Sequence, residues 1–212
     1  METSRLPIRA CVRYGWETFK KRPWFIVGIS VLVLVLNILI PGPKDGQPLP
    51  TLIALFAITF VLGSFLQLGA TNLTMRLHDG VESARLKDLW RPELFLTYLG
   101  TTLLATILTV LGFILLIIPG IIIGLALSFA TYIVIDRRTG PIAAIKESWR
   151  MTKGNRWRLF LLMALIALIN LGGLLLLVVG LLVTMPVTMI AFVHAYRFLD
   201  DSQTEVTATI EA

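Results

Sequence analysis

Charge is what this sequence has least of. Only 15% of its 212 residues are Asp, Glu, Lys or Arg, against about a quarter in ordinary soluble domains. Apolar residues make up 56% of the chain and the mean hydropathy is +0.82. A soluble domain of this size could not hide that much apolar surface, so a water-soluble enzyme, a disordered chain and a collagen-like chain are all excluded. Cysteine is nearly absent. With Cys11 alone there is no intrachain disulfide framework and no thiolate metal knuckle. The histidines are His78 and His194, and no His-Glu-x-x-His zinc motif is present. A net charge of +6 would suggest nucleic acid in a soluble chain. Here the position of the charges matters more than their sum, and no nucleic-acid partner is expected.

What is there is long charge-free sequence. No acidic or basic residue falls in 23–43, 46–75, 94–135 or 159–196. A bilayer-spanning helix needs about 20 mostly apolar residues, so the first two stretches hold one span each and the last two hold two each. Turn signals divide the long ones, at Pro119-Gly120 and at Gly172-Gly173 with Gly180 beyond. The expected fold is an all-α membrane protein of six transmembrane helices, near 24–40, 51–75, 95–117, 120–135, 158–176 and 179–197. The first is short, about 26 Å at 1.5 Å per residue, but adequate if flanking residues snorkel. No small-x-small cleavage site follows it, so it reads as an uncleaved span rather than a signal peptide.

Lys and Arg are counted between the spans. Residues 1–23 carry six, 41–50 one (Lys44), 76–93 four, 136–158 seven and the C-terminal tail one. Alternate segments thus hold 18 of the 19. The positive-inside rule assigns the rich side, with both termini, to the cytoplasm.

The chain also repeats. Trp16, Lys20, Trp24 and Asn37 recur with the same spacing as Trp149, Lys153, Trp157 and Asn170, and a weaker middle copy has Trp90 and Tyr98. The inward helices end alike, at 76–79, 135–138 and 197–200, each with an Asp. The expected architecture is one domain over 1–203 built of three in-out-in hairpins (about 7–78, 81–137 and 141–199), each led by a short amphipathic cytoplasmic helix, with a flexible acidic tail at 204–212. Arg5, Arg9, Arg13 and Glu17 share one face of the first lead and Ile8, Val12, Trp16 and Phe19 another. In the third lead Ile142, Ile145, Trp149 and Thr152 oppose Lys146, Arg150 and Lys153. A basic helix with one apolar face lies in the interface plane, its Trp rings at headgroup level. Asp79-x-x-Glu82 would cap the middle lead. The candidate lipid- or partner-binding residues are therefore Arg9, Arg13, Trp16, Lys20, Trp24, Lys146, Trp149, Arg150, Lys153 and Trp157.

Over 112–200, Pro119-Gly120-Ile121, the 132–136 helix end Tyr-Ile-Val-Ile-Asp, the segment 144–154 from Ala144 to Gly154, Pro186 and Ala195-Tyr196-Arg197 together carry a family likeness. The chain resembles a bacterial family of uncharacterised polytopic inner-membrane proteins, related to the membrane domain fused to some glycerophosphodiester phosphodiesterases. The resemblance implies a location but no activity. No soluble segment here is long enough to hold the phosphodiesterase domain.

Catalytic constellations are wanting. Asp79-Gly80-Val81-Glu82-Ser83-Ala84-Arg85 resembles the opening of CDP-alcohol phosphotransferases, but with one residue too many between Gly80 and Ala84 and without the downstream metal-binding carboxylates that chemistry requires. Ser64 follows Gly63 outside any Gly-x-Ser-x-Gly elbow. His78 and His194 fall near the ends of inward helices and would approach each other if the repeats pack in a ring. The spans hold no ionisable Asp, Glu, Lys or Arg, which counts against a coupled pump. Intramembrane polar candidates remain at Asn37, Gln67, Asn72 and Asn170. Gly120, Gly124 and Ser128 form a small-residue row for helix packing. The expected function is non-catalytic: a structural or accessory membrane protein, without cofactor or metal, that engages anionic lipid or a membrane-protein partner through its basic leads. The alternative is an uncoupled small-molecule or lipid transporter. A continuous polar cavity reaching Asn37 and Asn170 would favour the alternative, and a dry, Gly-packed bundle the first reading.

Overall fold

A computed structural model of the protein describes residues 6–40, 47–82 and 84–211, without the side chains of 177–179 and 204–211. Arg5, Ser83 and the Lys44 loop lie outside the described residues. The helices are α1 (Ile8–Lys21), α2 (Pro23–Leu39), α3 (Leu49–Asp79), α4 (Phe95–Leu115), α5 (Ile117–Leu127), α6 (Ala130–Arg137), α7 (Pro141–Thr152), α8 (Arg156–Leu175) and α9 (Leu177–Glu211), with two short 3-10 turns at Leu86–Leu89 and Pro92–Leu94. No strand occurs among the described residues.

Five helical segments are long and apolar enough to cross a membrane, or six if α1 and α2, which meet at 100°, count together as one broken span. The bend has a local cause. Pro23 opens α2 without an N–H to donate and pushes Arg22 out of the helical region, to φ −144°, ψ 62°. Lead and first span therefore separate into α1 and the 17-residue α2. At the third lead, Gly154 at φ 93° makes the corresponding turn between α7 and α8, a conformation that suits glycine.

Consecutive long helices pack as pairs. Arg22 at the start of α2 donates to the Val81 carbonyl just past α3, at 3.1 Å. A Cβ placed on Gly112 of α4 would lie 3.0 Å from Gly120 Cα of α5, so the chain folds back sharply at Leu116. Asn170 of α8 bonds Thr188 of α9 at 3.2 Å. Buried residues concentrate toward the lead-bearing, basic end, around Phe129, Ile133, Leu159, Leu162 and Tyr196 in one cluster and Ile26, Leu73 and Ile190 in another. The opposite tips are bare. Ile114 through Ile118 and Leu174 through Leu176 are exposed aliphatics, as suits surface that meets lipid instead of water.

Two expectations change on the structure. The span expected over 120–135 is present as one segment, 117–137, but its helix is interrupted at 128–129, although no Gly or Pro stands there. The freed backbone groups are taken by a side chain of the third lead: Ser148 Oγ donates to the Ala126 carbonyl at 2.7 Å and accepts from the Phe129 N–H at 3.2 Å. The middle lead is not an amphipathic helix but a pair of 3-10 turns, since Pro92 and the extended Trp90 and Arg91 interrupt it. Asp79 ends α3 instead of capping that lead, and Asp88 takes the Arg85 N–H at 2.9 Å. The backbone of α9 runs on to Glu211, there being no Gly or Pro in 202–211 to stop it.

The leads also dock on protein, by a face other than the Trp stripe. α1 lies against α9, α7 against α4, α5 and α6, and the middle turns against α3. Each lead docks on protein through small residues: Cys11, Gly15 and Thr18 beside Phe19 in α1, and Ala144, Ser148 and Thr152 beside Met151 in α7. The Trp16 and Trp149 positions, expected on the apolar stripe, are exposed. Bulky rings would hold the helices apart, whereas the small seam lets backbones touch. A Cβ on Gly15 would collide with the Val187 carbonyl oxygen, and one on Gly69 with that of Leu89. In the expected packing row, Gly120 makes the close approach to α4, Gly124 is at ordinary contact distance (3.5 Å) from Thr109, and Ser128 bonds its own helix at Leu125.

Candidate functional site

A cavity of about 680 Å³ lies between α2, α3, α8 and α9. Its wall is mainly aliphatic, with Ile26, Leu73 and Ile190 among the lining, and a few polar groups interrupt it: Asn37, Gln67, Asn170 and Thr188. These four share one height. Asn37 stands fourteen residues from Pro23, Gln67 twelve from Asp79, Asn170 fourteen from Arg156 and Thr188 twelve from Asp200, each about 18–21 Å along its helix. The two asparagines of the repeat are thus brought to the same chamber, but unequally. Asn37 is exposed at the mouth and its amide donates back to the Val33 carbonyl at 2.8 Å. Asn170 is partly buried and donates to Thr188 Oγ1 at 3.2 Å, while its own Oδ1, screened from solvent, has no hydrogen-bond partner among the described residues. That oxygen can accept from a donor entering the cavity. Gln67, exposed, joins Asn37 at the mouth.

Asn72 does not line this chamber. It is buried and donates to the Asp88 carbonyl at 2.6 Å, pinning the middle turns to α3. Elsewhere Thr101 turns back on its own helix, to the Thr97 carbonyl at 2.8 Å, as does Thr109 to Ala105 at 2.8 Å.

At the basic end, Arg9, Arg13, Trp16, Lys20 and Trp24 on the first repeat and Lys146, Trp149, Arg150, Lys153 and Trp157 on the third are all exposed. The repeat therefore presents two similar surfaces, each with two Trp rings flanking a Lys. Arg13 pairs with Glu17 at 3.6 Å and Arg150 with Glu147 at 2.9 Å, exposed pairs of small energetic weight. Arg156 covers the Trp149 ring at 4.4 Å.

Between these surfaces the inward helices converge. Arg197 of α9 bridges Asp136 of α6 at 2.8 Å and Asp79 of α3 at 3.0 Å. Tyr196 donates to Asp136 at 3.0 Å, and Arg137 binds Asp200 and, at 3.4 Å, Glu147. His78 and His194 do approach each other, with Nε2 to Nδ1 at 3.0 Å. Tyr14 of α1 stacks on His194 at 4.3 Å and donates to the His78 carbonyl. No group of three His, Cys, Asp or Glu able to hold a metal is found among the described residues. Cys11 is buried in the α1 seam, and burial pushes its thiol up to about 11, far from the range in which a thiolate would form. The ion-pair cluster was missed among the candidate residues. Its signal was the Asp that recurs at the end of each inward helix.

Apolar helices of this length, with aliphatic surface exposed along them, define a multi-pass integral membrane protein. Residues 98–200 match the family described as "Protein of unknown function (DUF975)". An uncharacterised protein of Mycobacterium bovis is 32% identical over 157 residues, covering 71% of this chain and 45% of its own. A UPF0259 membrane protein of Pectobacterium carotovorum is 31% identical over 115 residues, 53% of this chain and 46% of its own. The chain spans about half the length of the curated relatives it matches. No solved structure matches it. The likeness to uncharacterised bacterial membrane proteins thus stands, whereas none of these descriptions carries the expected link to glycerophosphodiester phosphodiesterases.

Proposed function

We propose that this is a non-catalytic lipid-handling protein of the bacterial cytoplasmic membrane, with its termini and basic leads in the cytoplasm and three in-out-in hairpins across the bilayer. The observation that carries the reading is the cavity reaching both Asn37 and Asn170. Its wall is mainly aliphatic, so it is not the continuous polar path expected of a transporter, and it supports the holding of an apolar chain instead. Its aliphatic wall suits an acyl chain, and bilayer lipid is what surrounds its mouth. The ring of amides suits the ester or hydroxyl group of such a chain, because an amide in hydrocarbon gains from any partner it finds. The exposed Lys, Arg and Trp of the two leads suit anionic headgroups at the inner surface, at about 1 kcal/mol for each cation.

The test is native mass spectrometry of the purified protein, wild type against Asn170→Leu and Asn37→Leu. The expected result is loss of most of the retained lipid in Asn170→Leu, a smaller loss in Asn37→Leu, and an unfolding midpoint within about 1 kcal/mol of wild type in both. Undiminished lipid with either variant would return the asparagines to a packing role and the protein to a structural one.

A further inference from the structure

The middle lead, which broke the helical pattern, borders a second, open cavity. It measures about 590 Å³ and lies at the basic end, lined by Arg76 of α3 and by Arg85, Lys87, Asp88, Trp90, Arg91 and Glu93 of the turns. Four cations face two carboxylates there. Both carboxylates are already engaged, Asp88 by the Arg85 N–H at 2.9 Å and Glu93 by Arg91 at 3.2 Å. Arg76, Arg85 and Lys87 have no carboxylate partner among the described residues. Positive charge is therefore left in a concave, polar space.

The cavity wall is held in place. Asn72 donates to the Asp88 carbonyl at 2.6 Å, and Gly69 admits the Leu89 carbonyl against α3. Arg85 and Lys87 are thereby fixed relative to Arg76 instead of hanging on a free loop. Beside them lies a smaller cavity of about 150 Å³, which shares Arg76 and Arg91 and is lined also by Arg138, by Arg197 and by the two carboxylates that pair with it, Asp79 and Asp136. Arg197 Nε is screened there from solvent with no acceptor among the described residues. The exposed Trp90 sits at the rim, where an indole meets headgroups.

We infer that this cavity binds a phosphate group, held by Arg76, Arg85, Lys87 and Arg91. Guanidinium forks match phosphate oxygens in pairs, and the lysine adds a point charge. The site is independent of the intramembrane cavity and of the α1 and α7 surfaces. A phosphate could reach it on a phospholipid headgroup or as a free anion.

The test uses the full chain in neutral detergent, titrated with short-chain phosphatidylglycerol and, separately, with inorganic phosphate. The variant pair Arg85→Gln/Lys87→Gln is compared with Arg9→Gln/Arg13→Gln, which removes equal charge from α1. At about 1 kcal/mol per cation, the first pair is expected to weaken binding roughly thirtyfold, and the second less than threefold. Loss confined to the lipid titration identifies a headgroup as the source, and the same loss with inorganic phosphate identifies a free anion. Equal losses in the two variant pairs, or wild-type binding in the first pair, would overturn the site. Arg76→Gln, on the continuous helix α3, gives the same comparison should the turns of the double variant rearrange.

Discussion

Gly15 and Ser148 hold the same place in the repeat, each directly before a Trp, and each meets the backbone of the inward helix beneath its lead. In the first lead the helix beneath is continuous through that point, and the seam closes because Gly15 has nothing to put there: Val187 O and Ala191 occupy the space a Cβ would need. In the third lead the helix beneath is broken, and Ser148 Oγ supplies one donor and one acceptor across the gap between Ala126 and Phe129. The comparison teaches that the repeat preserves a crossing, not a chemistry. What the crossing helix is doing decides whether the seam wants empty space or a hydroxyl.

The sharpest way to break the comparison is to exchange the residues. Gly15→Ser puts a side chain against backbone that cannot move aside as a rotamer would, and is expected to cost about 3 kcal/mol, the upper end for overpacking. Thermal unfolding in detergent measures it, and a loss below about 1 kcal/mol would mean that α1 does not press on α9. Ser148→Ala orphans a buried carbonyl and a buried N–H and is expected to cost about 2 kcal/mol. Ser148→Gly should cost at least as much, since emptying the seam does not mend α5 and α6. If Ser148→Gly proved harmless, the two seams would be one device after all. The smallest effect belongs to Cys11, which stands where the third lead has Ala144. Cys11→Ala makes the two leads more alike and should cost about 1 kcal/mol or less. In the wild type this buried thiol should resist a maleimide at neutral pH and react once the protein unfolds, because both its burial and its pKa of about 11 withhold the thiolate. Fast labelling of the folded protein would open the α1 seam to doubt.

The spans were legible because charge is excluded from hydrocarbon, and charge-free runs are read directly. α2 and α8 start within two residues of their expected positions. The break at 128–129 was not legible, because its cause is Ser148, some twenty residues on, acting through space. The seam by which each lead docks was not legible either. Trp at helical spacing marks an apolar face, but the face that docks on protein is the one with the least side chain, and Cys11, Gly15 and Thr18 carry no apolar periodicity. Of the candidate site, Asn37 and Asn170 were found by the repeat. Their difference, one at the mouth and one bonded to Thr188, depends on how far apart α2 and α8 stand, which spacing along a chain does not encode. The cations of the middle turns were passed over because that copy of the repeat is the weakest.

The docking of α1 on α9 also governs the order of assembly. The backbone of Leu6 accepts from Arg158 and donates to Asn155, 149 residues further on, and Gly15 meets Val187 later still. A ribosome adding about 5–20 residues per second needs roughly 7–30 s to deliver those partners. Through that interval the first helix made is the one with no place to go. Its exposed arginines and Trp16, idle in the finished seam, give it somewhere to wait: flat on the membrane surface, beside the site it will occupy when the last helix arrives. A nascent chain arrested before residue 155 should therefore leave α1 open to proteolysis once lipid is stripped away, and the completed chain should protect it.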